Sequence, residues 1–524
     1  MLDDLRMFLR FAAGLRTFLD RTMTLEEGRR IHADSLAQRS ESFLTLMRGV
    51  YGAADNPYRA LLRWAGVECG DLERMVRQDG VEAALEKLYD AGVHVSLEEF
   101  KGRRPLERKG LYLELREGSF DNPLAHGAFE VQTGRSTGRA RRLAIDFELM
   151  AYDAACKILN HAANGVLGRP YAIWKAVPPG SSGLKNALWA IKFGTPLEEW
   201  FSPTPVSWRP DMWKSAVFTY YALAAARWNG CGIPYPKHVP MDRAGEIAAW
   251  LAGKARAGSP AVISLSSSRA TRVCMAAKEM GLDLSGTVFR VGGEPFTPAK
   301  QRLIEEAGAR AFSGWAMAEC GPLAGGCANP SACDEVHLFL GKTAVIQRAK
   351  LLADGQSRLD TLYLTTLLPA APKIMLNLDT GDYGVLSRRD CGCGLQREGL
   401  TVHLHTIRSY EKLTTGGMHF LGGEFVTLVE EVLPKAFGGS PTDYQFVEEE
   451  RGPESKVRIL ISPRVGPVEE SEVVGKVLSY LASRSRGDRS MAWHWQQSGT
   501  LSVSREEPAA TKDGKIPHLR VVRP

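Results

Sequence analysis

The chain has 524 residues, 44% of them hydrophobic and 24% charged, and a net charge of +6. This composition excludes an intrinsically disordered chain, a collagen and a disulfide-stapled miniprotein, and the charge is too weak over this length to imply a nucleic-acid partner. No run approaches the ~18 apolar residues that span a bilayer, and Asp3, Asp4, Arg6 and Arg10 leave no apolar signal core. A cytoplasmic protein without a membrane partner is expected.

Length alone predicts about three domains, or one large and one small. In chain order, Leu5, Phe8, Leu9, Ala12, Leu15, Phe18 and Leu19 recur at three- and four-residue steps, which predicts an amphipathic helix. Thr24 to Glu27 has the Thr-x-x-Glu form of a capping box for the next helix. Residues 1–120 read as a helical lead-in. From there LYLEL (111–115), PAVISLSS (260–267), TVFRVGG (287–293), LDTLYLTTLL (359–368) and APKIMLNL (371–378) predict strands. Helix-like segments such as 298–308 alternate with them, the pattern of an α/β fold. Beyond residue 406 a helix (425–433), two strands (444–448 and 456–461), a helix (469–483) and a strand (500–504) suggest a small α+β unit. Two domains are therefore expected, a large N-terminal α/β domain over 1–406 and a small mobile domain over 407–524.

Five segments carry chemistry. In EVQTGRSTGRARR, Thr133, Ser136, Thr137 and Gly138 can cradle phosphates through hydroxyl and backbone N–H donors. The segment also reads as a solvated Gly/Arg turn, and the Gly-Lys-Ser/Thr ending of a Walker loop is missing. Gly292, Gly293, Glu294 and Pro295 follow a strand and allow a tight turn or close approach to a flat ligand. In FSGWAMAECGP, Trp315 could stack on a base and Glu319 could hold Mg²⁺ beside phosphates. Asp379–Thr380–Gly381–Asp382 reads as an Asp turn able to accept ribose hydroxyls. Near the C-terminus Lys515 follows Gly514 on a loop and could enter a phosphate site as a point charge, or simply be solvated.

Taken together, in this order, these segments resemble the adenylate-forming (AMP-binding) superfamily of acyl-CoA ligases, most nearly its phenylacetate–CoA ligase branch. TGRSTG resembles the phosphate loop. GGEPFTPAKQRLIEEAGARAFSGWAMAECGP resembles the Gly-Gly-Glu-Pro segment, its following helix and the aromatic-x-x-x-Glu motif. LDTGDYGVL resembles the Thr-Gly-Asp motif, HTIRSYEKL the hinge, and TKDGKIPHL the C-terminal Gly-Lys motif. The likeness spans roughly residues 45 to 520 and is most specific from Gly292 to Asp382. Departures include Arg135, Arg139 and Ala140 in the phosphate loop, Trp315 for the usual Tyr, Ala316 for Gly, and Tyr410 and Glu411 for the hinge Asp pair.

The resemblance implies ATP-dependent activation of a small carboxylic acid, an aryl acid by its branch, to an acyl adenylate and transfer to a thiol, that of coenzyme A. Thr133, Ser136, Thr137 and Gly138 would hold the β- and γ-phosphates and Glu319 the Mg²⁺. Gly293, Glu294 and Trp315 would border adenine, Asp382 would hold ribose with Arg408 beside it, and Lys515 would bridge carboxylate and α-phosphate. The alternatives are transfer to a carrier protein or a protein side chain, and a non-catalytic nucleotide-binding relative. TYYALAAARW and ISLSSS, with Tyr220 and Tyr221, could line an acyl pocket or pack as core.

Cys327, Cys333, His337, Cys391 and Cys393 offer thiolates and an imidazole, the donors Zn²⁺ takes four at a time. Five candidates compete for four places. By the resemblance Cys391, Cys393 and His337 come first, with Cys333 or Cys327 fourth, forming a structural brace behind Glu319. His403 and His405, and Trp493 and Trp495, alternate on strands and read as packing residues.

Overall fold

The structure, a computed structural model, describes residues 14–116, 118–125, 129–132, 142–145, 147–178, 182–195, 197–206, 213–228, 230–317, 319–351, 358–409, 426–451, 454–483, 495, 500–511 and 515–522. It is a mixed α/β protein. Six strands form a parallel sheet in the order 310–312, 288–291, 262–265, 171–174, 197–202, 237–238. Tyr171, Ile173, Val262 and Val288 pack against helices Phe147–Ala163 and Ser182–Lys192. The alternate residues Ala172, Trp174, Ile263, Leu265, Phe289 and Val291 pack with helices Ala244–Arg256, Ser267–Glu279 and Pro298–Glu306. Burial on both faces explains why these strands read as unbroken apolar runs.

A seven-stranded sheet follows in the order 314–317, 321–326, 336–338, 402–409, 378–388, 358–366, 343–351, antiparallel throughout. The lead-in helices are not a separate unit. Phe43, Leu46, Tyr58, Leu72 and Leu85 share one core with Leu362, Leu364 and Leu376 of this sheet's strands and turns. The helix expected around Leu15 is present over 14–19; residues 1–13 lie outside the described ones. Only half of the capping box forms. Thr24 Oγ1 accepts from the Glu27 N–H at 3.1 Å, but the Glu27 carboxylate turns to Arg21 at 2.7 Å.

Two expectations need correcting. APKIMLNL is not a strand: residues up to Asn377 form an irregular segment, and the strand begins at Leu378. Asn377 adopts φ +48° and donates to the Leu85 and Val93 carbonyls at 2.8 and 3.1 Å, which bends the chain against the lead-in helices. A short apolar run records burial, not conformation. Asp379–Asp382 is not a turn after a strand but part of the strand Leu378–Arg388, with a register shift between Tyr383 and Val385.

The C-terminal unit has its own sheet, ordered 501–504, 454–461, 444–451, 519–522, and its own core of Leu428, Val429, Tyr444, Phe446, Ile459, Val473, Val477 and Trp495. The strand Val402–Ser409 carries the antiparallel sheet past residue 406, and this second core starts beyond residue 425. The last strand, Leu519–Val522, pairs parallel with Tyr444–Arg451 and was not expected from the sequence. Among the described residues no helix is long and apolar enough to cross a membrane.

Candidate active site and metal centre

The loop after strand Val288–Val291 is shaped by its two glycines. A Cβ on Gly292 would lie 2.8 Å from the Gly314 carbonyl oxygen, so this loop touches the strand that carries Trp315. Gly293 has φ +79°, and a Cβ there would lie 3.0 Å from Lys515 Nζ. The ammonium of Lys515 is thus seated on the loop. A turn holds it: Lys515 N donates to Thr511 Oγ1 at 3.1 Å and Thr511 N to the Lys515 carbonyl at 2.7 Å.

Glu294 acts as a tie. Its carboxylate accepts from Ser268 N at 2.9 Å, Ser268 Oγ at 3.0 Å, Ser267 Oγ at 3.2 Å and, from the C-terminal unit, Ile516 N at 2.9 Å. The sequence reading missed a second tie. Glu430, on a π-helical turn over Leu428–Val432, is buried between the units. It pairs with Lys300 at 2.7 Å and bonds Thr297 and His518. Lys300 also donates to the Pro295 carbonyl at 3.0 Å and Ser267 Oγ at 3.3 Å. Burial alone would raise the Glu430 carboxyl, but Lys300 and His518 hold it down to about 2. Nothing in local periodicity marks Glu430, because its partners lie far away in the chain.

Trp315 is half-buried against the lead-in core, and Glu319 is buried on the turn that joins strands Gly314–Met317 and Gly321–Gly326. Asp382 N donates to Thr380 Oγ1 at 3.2 Å, while Asp379 pairs with Lys350 at 2.6 Å. Arg408 sits on the neighbouring strand, opposite Tyr383 and one residue from the Asp382 partner Ser409. Its guanidinium does not point out to a ligand: Nη1 donates to Asp334 at 2.9 Å and to the Ile407 carbonyl at 2.8 Å. Thr133, Ser136, Thr137 and Gly138 lie outside the described residues. The strands beside them, Phe129–Gln132 and Arg142–Ile145, pair as an antiparallel hairpin.

Four of the five metal candidates converge. Sγ of Cys327, Cys391 and Cys393 and a ring nitrogen of His337 all lie within 4.8 Å of one another. His337 Nε2 is 3.2 Å from Cys393 Sγ and 3.6 Å from Cys391 Sγ. Its Nδ1 meets the Leu400 carbonyl at 2.6 Å, which orients the ring as an outer partner orients a ligating histidine. Gly392, at φ +67°, lets Cys391 and Cys393 face the same point. A shared hydrogen bond pushes the Cys327 thiol up and Cys393 down, and burial raises Cys391. Three sulfurs and one imidazole are the donor types and number that Zn²⁺ takes in a structural site. Cys333 does not join: its thiol donates to the Phe296 carbonyl at 3.3 Å and packs on the parallel-sheet core. Glu335 and His403, beside Cys327, are engaged with each other at 2.5 Å, and Glu335 also binds Arg389 at 2.8 Å. His403 is buried 4.0 Å from the His337 ring, as a packing residue, while His405 is half-exposed.

No family model matches the chain, and no curated protein matches it. Among solved structures it is similar to a 2-hydroxyisobutyryl-CoA ligase in complex with 2-HIB-AMP and CoA, at 15% identity over 94% of this chain and 90% of that one, TM-score 0.43. It is also similar to the O-succinylbenzoate coenzyme A synthetase of Bacillus subtilis in complex with ATP and magnesium, at 12% identity over 83% and 80%, TM-score 0.44. A third is an amide bond synthetase from Marinactinospora thermotolerans, at 13% identity over 97% and 98%, TM-score 0.40.

Proposed function

We propose that this protein activates a small carboxylic acid with ATP, expelling pyrophosphate, and passes the acyl group from the adenylate to the thiol of coenzyme A. The observation that carries the reading is the seating of Lys515 on the Gly292–Glu294 loop by two ties between the units. An acid attacking the α-phosphate brings two anions together, so catalysis needs a positioned cation more than covalent chemistry. Lys515 supplies that cation, delivered by Thr511 and Ile516. Thr133, Ser136, Thr137 and Gly138 hold the β- and γ-phosphates. Gly293 and Trp315 border adenine, and Asp382 takes the ribose. Glu319 holds Mg²⁺, which neutralises phosphate charge. Glu294 positions rather than contacts, since its carboxylate already accepts four donors, and Arg408 braces the strand end through Asp334. Cys327, His337, Cys391 and Cys393 hold a structural Zn²⁺. Membership of the phenylacetate–CoA ligase branch, and an aromatic acid with it, belongs to this proposal.

Acid-dependent ATP–pyrophosphate exchange with a carboxylic-acid library tests the reading. Wild type should exchange with at least one acid. Lys515→Ala should fall by about 10²- to 10³-fold, the usual effect of removing one transition-state donor, while staying folded. Undiminished exchange in Lys515→Ala removes that residue from the mechanism, and no exchange with any acid sinks the activity. Offering free coenzyme A against carrier proteins then identifies the acceptor.

A further inference from the structure

Beside the turn that carries Glu319 lies a set of buried cations that the proposed reaction does not use. Helix Phe147–Ala163 carries Asp153 and Lys157 one turn apart, and helix Ser182–Lys192 carries Lys185. Their exposures are 2%, 4% and 7%. Asp153 is ion-paired to Lys342, which is 1% exposed. Lys157 and Lys185 have no hydrogen-bond acceptor among the described residues. Their ammonium groups lie over Trp189, 4.4 and 5.5 Å from the ring centroid. Arg290, half-buried beside them, gives Nη1 to Ser264 Oγ at 3.2 Å, and its buried Nε has no partner among the described residues.

The Lys157 and Lys185 side chains lie buried among other cations, where an ammonium is costly unless an anion reaches it. One aromatic face offsets part of that cost, and burial pushes both lysines down, Lys185 to about 8. Four cations (Lys157, Lys185, Lys342 and Arg290) outnumber the two buried acids beside them, Asp153 and Glu319. The missing charge is an anion.

The location says which anion matters. Cys320, next to Glu319, is buried within electrostatic reach of Lys342, Asp153 and Lys185. A Cβ on Gly321 would lie 2.7 Å from Asp153 Oδ2 and 3.3 Å from Lys342 Nζ. A Cβ on Gly314, next to Trp315, would lie 3.4 Å from Arg290 Nη2. The cationic set therefore adjoins the hairpin on which the proposed reaction takes place. We propose that Lys157 and Lys185 bind a second carboxylate on the acid being activated, so that the substrates are dicarboxylic acids. This rests on the activity proposed above.

The test compares matched pairs on the full-length protein: adipate against hexanoate, terephthalate against 4-methylbenzoate, and further pairs built the same way. Calorimetry with ATP present should find the tightest acids among the dianions, at least tenfold tighter than their monoanionic matches. Lys157→Met and Lys185→Met should each bring a diacid down to its match while ATP binding is unchanged. Both variants lose an unpaired buried charge, so each should melt no lower than wild type without ligand. Should either fail to fold, the wild-type ratio of diacid to monoacid decides alone. Diacids binding no better than their matches would overturn the proposal, as would a preference that survives both substitutions. Loss of ATP or inorganic phosphate binding in the variants, with the diacid ratio unchanged, would assign the lysines to the nucleotide instead. Exchange with monoacids in preference to diacids sinks this inference and leaves adenylation standing. Tenfold tighter, lysine-dependent diacid binding with no exchange does the reverse.

Discussion

Lys515 illustrates what one residue owes to its surroundings. Its tip rests on Gly293, where any side chain would crowd it and the positive φ would strain an L-residue. Both residues stand in recognisable motifs, but their contact is not part of the sequence reading, which gives them separate roles. The behaviour of Glu294 and Arg408 could not be anticipated, because a motif names a residue without naming what its side chain already holds. Glu319 is the residue on which the metal proposal turns. Glu319→Gln keeps the shape and removes the charge, so the Mg²⁺ concentration for half-maximal exchange should rise on the order of tenfold with hard-cation binding weakened. An unchanged Mg²⁺ dependence would remove Glu319 from that role.

At the scale of elements, the four gathered metal donors tie three pieces of the antiparallel sheet together. Cys327 follows strand Gly321–Gly326, His337 lies within Val336–Leu338, and Cys391 and Cys393 lie between Leu378–Arg388 and the short helix Gly394–Arg397. The proposed Zn²⁺ would brace the segment behind the Glu319 turn. Purified protein should carry about one Zn²⁺ per chain by mass spectrometry, as a closed four-ligand site requires. Cys393→Ser should lose it and melt lower, because binding energy at such a site is folding energy. Cys333→Ser should keep it. Zinc-free wild type, or zinc retained in Cys393→Ser, would refute the site. The same sheet shows where reading elements from sequence stops. Runs buried on both faces were visible as strands, yet 371–377 was equally apolar and forms no strand, because Asn377 bends it.

At the scale of the molecule, Glu430 holds the two units in the arrangement that seats Lys515. Its carboxyl is depressed to about 2, below the ordinary Glu value near ~4.3. Its contribution is therefore complete above pH ~4.3 and is lost as pH falls toward ~2. Glu430→Gln leaves Lys300 buried without its anion and should cost roughly 3–5 kcal/mol in urea unfolding at pH 7. The deficit should shrink as the pH is lowered through that window, since wild type loses the same charge by protonation. A variant as stable as wild type at pH 7, or a deficit independent of pH there, would contradict this account.

The alternation of elements and the order of the chemistry-bearing segments were legible in the sequence, because they follow from local periodicity and from short runs of residue types. Only packing settled which four of five donors meet, that Arg408 is held by Asp334, that Glu430 lies at the junction between units, and that the buried side chains of Lys157 and Lys185 have no acceptor among the described residues. Each of these depends on where side chains point after segments far apart in the chain have packed together, and no local pattern encodes that direction.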